Sequence, residues 1–129
     1  MKPFEYPEPL DFINGNALEC YYLICSKLDS YLLEKIDTVL LSFAAMDLYL
    51  IKITAPNIIE ENIFQKTNEG TISNNASFEI LQIKYRSFID IAEKFYLSAK
   101  DCDNIIFNDL KVKLPQNVMI LLKTNPIKN

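Results

Sequence analysis

Carboxylates and phenols are nearly all that this sequence offers for chemistry. The chain has no histidine and no tryptophan, and Arg86 is its single guanidinium. Without an imidazole there is no usual general base for neutral pH, no Ser-His-Asp relay and no nitrogen ligand for zinc. No GxxxxGK[ST] run is present to wrap phosphates. Glu60 with Glu61, and Asp101 with Asp103, are the remaining candidates for holding a hard cation. Each pair is local and lacks the regularly spaced further oxygens of a calcium loop, so a solvated acidic face is the expectation. Cys20, Cys25 and Cys102 show no CxxC spacing. The first two lie in an apolar helical pattern, where a free thiol acts as a small hydrophobe and suits a reducing compartment. The seven Tyr and eight Phe fall at helical spacings and read as core, with Tyr21, Tyr22 and Tyr96 as candidate partner anchors. The expectation is a protein that is not an enzyme and that takes no metal or cofactor.

The elements that must position these groups read as helices. The chain has two Gly and six Pro, and of the prolines only Pro56 lies far from the ends, an economy of turn residues that suits helices better than hairpins or barrels. The clearest pattern runs through Phe78, Leu81, Tyr85, Phe88, Ala92 and Phe95, which share one helical face. It predicts a long helix over about 76–97, with Asn75 as N-cap. The most apolar segment, 31–53, carries one stripe at Leu33, Ile36, Leu40, Phe43, Met46, Leu50 and Ile53. A second set, Leu32, Val39, Leu41, Leu48 and Ile51, nearly surrounds it. Such a helix is either central to a bundle or shared with another subunit, and the second set supplies the candidate subunit contacts. Glu34, Asp37 and Asp47 are expected to mark its solvent side.

Around this pair, residues 1–15 form an extended Pro-containing lead-in. Asn16 with Glu19 resembles a capping box that opens a first helix over about 17–30. Pro56 is expected to start a short helix reaching Gln65, residues 66–74 to form the main loop, and 98–103 to make a polar break before a short helix over 104–110. The fold class is therefore all-α: a single-domain helical bundle over 16–110, built on a long antiparallel pair (31–53 and 76–97), with a basic tail and a weak helical patch over 111–129.

The net charge of −4 argues against a chain that coats nucleic acid through bulk charge. All 17 acids precede residue 110, however, and Lys111, Lys113, Lys123 and Lys128 follow with no acid among them. That tail is either a solvated terminus or a contact for DNA or a protein partner. The N-terminus lacks the apolar core of a signal peptide, and Ser42, Asp47 and Lys52 interrupt the apolar run over 39–53. A soluble, cytoplasmic protein with no membrane contact is expected.

Pro7 to Asn14 leads into LLEKIDTVLLSFAAMDLYLI, with Asp37 near the start of that helix. NEGTISN then connects to Asn75-Ala76, the opening of the long helix, and FYLSAKDC from Phe95 to Cys102 closes it. This order resembles the short all-helical branch of the phage terminase small subunits. In that family an Asn-Pro pair starts the long helix and Leu-Gly-Leu-Ser-Pro-x-x-Arg closes it. Asn75, Leu97 and Ser98 keep the family's types, whereas Ala76, Tyr96, Ala99 and Cys102 stand where it has Pro, Gly, Pro and Arg. The resemblance implies a non-catalytic homo-oligomer that recognises viral double-stranded DNA and passes it to the large terminase subunit for genome packaging in a phage or prophage. The tail lysines would then contact DNA or the large subunit. The alternative, favoured by the pI of about 4.8, is an acidic helical adaptor, immunity or secretion-chaperone-like, binding a basic protein partner.

Overall fold

The structure, a computed structural model, describes residues 6–60, 64–66, 72–74 and 76–124. Residues 6–14 have no regular hydrogen-bonded structure, as Pro7 and Pro9 require, yet they are pinned to the body. The Tyr21 hydroxyl donates to the Pro7 carbonyl at 2.7 Å, and the Leu10 N–H donates to Ser42 Oγ at 3.0 Å. Ile13 is buried, and the Tyr6 ring lies beside that of Tyr22 with centroids 5.8 Å apart.

The first helix, α1 (Gly15–Ser26), begins before the capping box read from the sequence. Its N-cap is Asn14, so Asn16 already sits in the first turn. Ala17, Tyr21 and Ile24, with Cys20 and Cys25, form its buried face. The predicted 31–53 helix is divided in two. Asp29 caps α2 (Ser30–Leu33), and the chain then turns at Asp37 into α3 (Thr38–Glu60). Asp37 is exposed, as expected, and it also caps the helix, its Oδ1 accepting from the N–H groups of Val39 at 2.9 Å and Leu40 at 3.2 Å.

Pro56 does not end α3, which runs through it to Glu60. A proline inside a helix removes one i→i−4 hydrogen bond and costs roughly 3 kcal/mol. Here its ring faces solvent, while Ala55 and Ile58 on either side continue the buried row of Leu48 and Ile51. Burial of that row outweighs the local loss. Pro56→Ala is accordingly expected to stabilise the fold by about 1–3 kcal/mol in a denaturant titration; a neutral or destabilising result would mean that the proline constrains the unfolded chain as much as it strains the helix.

Beyond α3, Phe64 and Gln65, expected in a helix, and both ends of the expected loop lie in two short antiparallel strands, β1 (Phe64–Lys66) and β2 (Ile72–Asn74), in register Phe64 with Asn74 and Lys66 with Ile72. Residues 61–63 and 67–71 lie outside the described residues. The hairpin turns the chain into α4 (Ala76–Glu93), which packs along α3 while α1 packs against α3 as well. Phe78, Leu81, Tyr85, Phe88 and Ala92 are buried, as their spacing predicts, with Phe95 just beyond the helix end. Asn75, the expected cap, lies outside the described residues.

Ser98 caps α5 (Ala99–Asp103) in a reciprocal box with Asp101, and the helix passes directly into a π-helical turn, Asn104–Asp109, that buries Ile105 and Ile106. The last helix, α6 (Gln116–Thr124), docks through buried Val118 and Leu122. The bundle is all-helical and single-domain, as expected, with the small hairpin as its one β feature among the described residues.

The faces of α3 are reversed relative to the sequence reading. Leu41, Leu48 and Ile51 are buried in the chain's own core beside Ala44, Ala45 and Ala55, whose small side chains allow close helix approach. Phe43 and Ile53, expected inside, are exposed together with Val39, and Met46 and Leu50 between them are half-buried. The cause lies in the polar residues. Ser42 is fully buried and holds the lead-in, and Asp47 is buried against α4, so neither interrupts the outward face. The expectation of a cytoplasmic chain whose apolar run cannot span a bilayer is overturned with it: Thr38–Ile58 is long and apolar enough to cross a membrane. The same length and composition serve a packed core helix, and a little under half of this span is buried inside the fold.

Candidate interaction site

The groups that could have done chemistry are occupied by structure. Among the described residues no cluster of Cys, Asp and Glu is placed to hold a metal. Asp101 is engaged in its capping box, and the Ser98 N–H on its carboxylate holds its pKa below the usual range. Asp103 accepts the Tyr85 hydroxyl at 2.8 Å and pairs with Lys123 at 3.0 Å. Of the other acid pair, Glu61 lies outside the described residues. All three cysteines are free and buried. Burial pushes the Cys20 thiol up to about 11 and those of Cys25 and Cys102 up to about 12, so none is a thiolate at neutral pH.

The tail residues divide. Lys111, whose backbone is left-handed at φ +58°, and Lys113 flank buried Val112 in the irregular stretch after the π-helical turn, and both are exposed. Lys123 is turned back onto the bundle by Asp103 and lies 5.8 Å from the Phe107 ring centroid, which commits its charge within the fold. Lys128 lies outside the described residues. Of the residues expected to form a subunit contact, Leu41, Leu48 and Ile51 are consumed by the core, Leu32 is half-buried, and Val39 alone is on the exposed face. That face instead presents Val39, Phe43, Met46, Leu50 and Ile53, spaced alternately four and three residues apart, the repeat of a seam that packs against another helix. Phe12 extends it by stacking on Phe43, ring centroids 6.3 Å apart.

The end of α4 explains the odd residues of the FYLSAKDC segment. The Leu97 N–H reaches back to the Ala92 carbonyl at 3.1 Å and the Tyr96 N–H to that of Glu93 at 3.1 Å, the paired bonds of a Schellman ending. That ending requires a left-handed residue, and Tyr96 supplies it at φ +66°. Glycine does so freely, whereas a bulky side chain pays roughly 1–2 kcal/mol. Ala99 and Ala76 are the first residues of α5 and α4, the helical position that best accepts proline. Cys102 is fully buried.

Between the α1–α2 corner and the α4–α5 turn lies an open cleft of about 480 Å³. Its floor is apolar, from Leu28, Leu32, Phe95 and Leu97. Lys27, Lys35, Tyr31 and Tyr96 stand around its mouth, with Asp29 beside them. The Lys35 ammonium donates to the Tyr31 hydroxyl at 2.7 Å and lies 4.4 Å from that ring's centroid. Pattern reading singled out Tyr96 but not the cleft, because the pieces that form it are about 65 residues apart in the chain and no local periodicity joins them. No family model, no curated protein and no solved structure matches the chain.

Proposed function

We propose that this chain is a non-catalytic, small-terminase-like subunit that assembles with copies of itself and engages double-stranded DNA and a large packaging subunit. One observation carries the reading. Where the family has Gly the backbone here is left-handed, and where it has Pro the residue is the first of a helix, so the family's residues suit this backbone better than Tyr96, Ala76 and Ala99 do. The apolar outward face of α3 supplies a self-contact, and Lys111 with Lys113 supplies exposed positive charge on an otherwise acidic chain.

The test is native mass over a range of concentrations, followed by binding to double-stranded DNA at several salt concentrations. A closed assembly of several subunits that binds DNA is expected. Replacing Lys111 and Lys113 together with Glu should weaken that binding and reduce the slope of log affinity against log salt by about 2, one per lost phosphate contact. Unchanged binding removes the tail from the interface. A monomer with no affinity for DNA at low salt removes the packaging role and leaves the adaptor for a basic partner.

A further inference from the structure

Tyr31 and Tyr96 are the two most exposed large apolar residues described, at 64% and 85%, and both stand at the mouth of the same cleft. For Tyr96 this exposure is maintained at a cost. It occupies a left-handed position that glycine would fill without strain, and its side chain packs into no core. Beneath the tyrosines, Leu28 and Phe95 offer a pre-formed apolar floor, each nearly buried but open on the cleft side. Around the mouth two lysines, Lys27 and Lys35, stand against one aspartate, Asp29, on a chain whose net charge is −4. Lys27 is shared with Asp109 at 3.0 Å, while Lys35 makes no ion pair among the described residues and is held in place by Tyr31.

We propose that this cleft is the docking groove for a short acidic segment of a partner protein, anchored by an apolar side chain. The anchor fills the floor, the two tyrosine rings close on it from either side, and carboxylates flanking the anchor meet the lysine ammoniums, Lys35 first. Tyrosines of this kind, rigid and amphipathic, are the residues that dominate peptide-sized interfaces. A nucleic-acid strand fits less well, since its phosphates recur along every nucleotide and the apolar floor gives them no partner. The groove does not depend on the packaging role, because neither the outward face of α3 nor the stretch bearing Lys111 and Lys113 lines it.

The probe is a short fluorescein-labelled peptide alternating Leu and Phe with Asp and Glu, titrated with the full chain and followed by anisotropy. Controls are the same peptide with Lys in place of its acids and a short oligothymidylate. Saturable binding of the acidic peptide alone is expected, weakened about tenfold or more by Tyr96→Gly and by Lys35→Glu. Tyr96→Gly should at the same time raise the melting temperature, because it relieves the left-handed strain, so lost binding cannot be ascribed to lost folding. Binding that survives both substitutions, equal binding of the Lys peptide, or displacement by the oligothymidylate would each overturn the proposal.

Discussion

Phe43→Asp is expected to run as a monomer at concentrations where the parent chain is assembled, and to stay folded there with a somewhat lower melting temperature, because it loses both the stabilisation of assembly and the stacking on Phe12. Phe43 is about half exposed, at 47%, so the free subunit already tolerates water at this site. In an assembly sealed through the outward face of α3 the same ring would be buried. Burying the exposed half of this side chain is worth about half of the 1.5–3 kcal/mol of a full one, and a symmetric contact counts it twice, so the dissociation constant should rise by roughly 10–10². Sedimentation velocity of both chains measures this directly. The contrast is Leu48→Asp, on the opposite, buried side of the same helix, which places an unpaired charge in the core and should prevent folding. A Phe43→Asp chain that remains assembled would move the subunit contact away from α3.

The second large effect centres on Asp47, which α3 buries against α4. Ser87 donates to its Oδ2 at 2.5 Å, and the Lys84 ammonium stands 3.8 Å from Oδ1. Burial raises the pKa of this carboxyl above its ordinary 3.8, and the Ser87 hydroxyl and Lys84 pull it only partly back. The folded protein therefore holds this proton more tightly than the unfolded chain does. Ionised Asp47 costs stability at neutral pH, and that cost is withdrawn as the pH falls through the folded pKa toward 3.8. Compared with Asp47→Asn, the parent should thus gain relative stability on acidification. At neutral pH, Ser87→Ala removes the closest donor and should destabilise by about 1–3 kcal/mol. Asp47→Leu combined with Ser87→Ala should recover most of that loss, because an apolar pair leaves no buried charge to satisfy. Denaturant titrations of the two single variants and the double decide it, and additive losses in the double variant would show that Asp47 is not the group Ser87 serves.

Helix α4 was legible in the sequence because its period and its burial agree: Phe78, Leu81, Tyr85, Phe88 and Ala92 all face the core. Helix α3 was legible as a helix but not in orientation. Almost every position along it is apolar, so the polar residues had to decide which side faces out, and Ser42 and Asp47 point inward to partners at residues 10 and 87. No local rule anticipates a hydrogen bond 32 or 40 residues away. Pro56 misled for a related reason, since its local penalty is outweighed by burial contributed from other helices. The cleft was invisible until the corner after α1 and the turn after α4 met. Tyr96, by contrast, was singled out in the sequence as a candidate partner anchor, and it stands exposed on a left-handed backbone.

The three buried thiols give this chain a built-in clock. Cys20 and Cys25 lie on α1, and Cys102 lies on α5 near the far end of the chain. Protonated and shielded, each can react with an alkylating reagent only when its own neighbourhood opens. Labelling rates at Cys102 and at the α1 pair therefore time the opening of the two regions separately. They would tell whether the α5 end breathes on its own or unlocks together with the helices that surround α3.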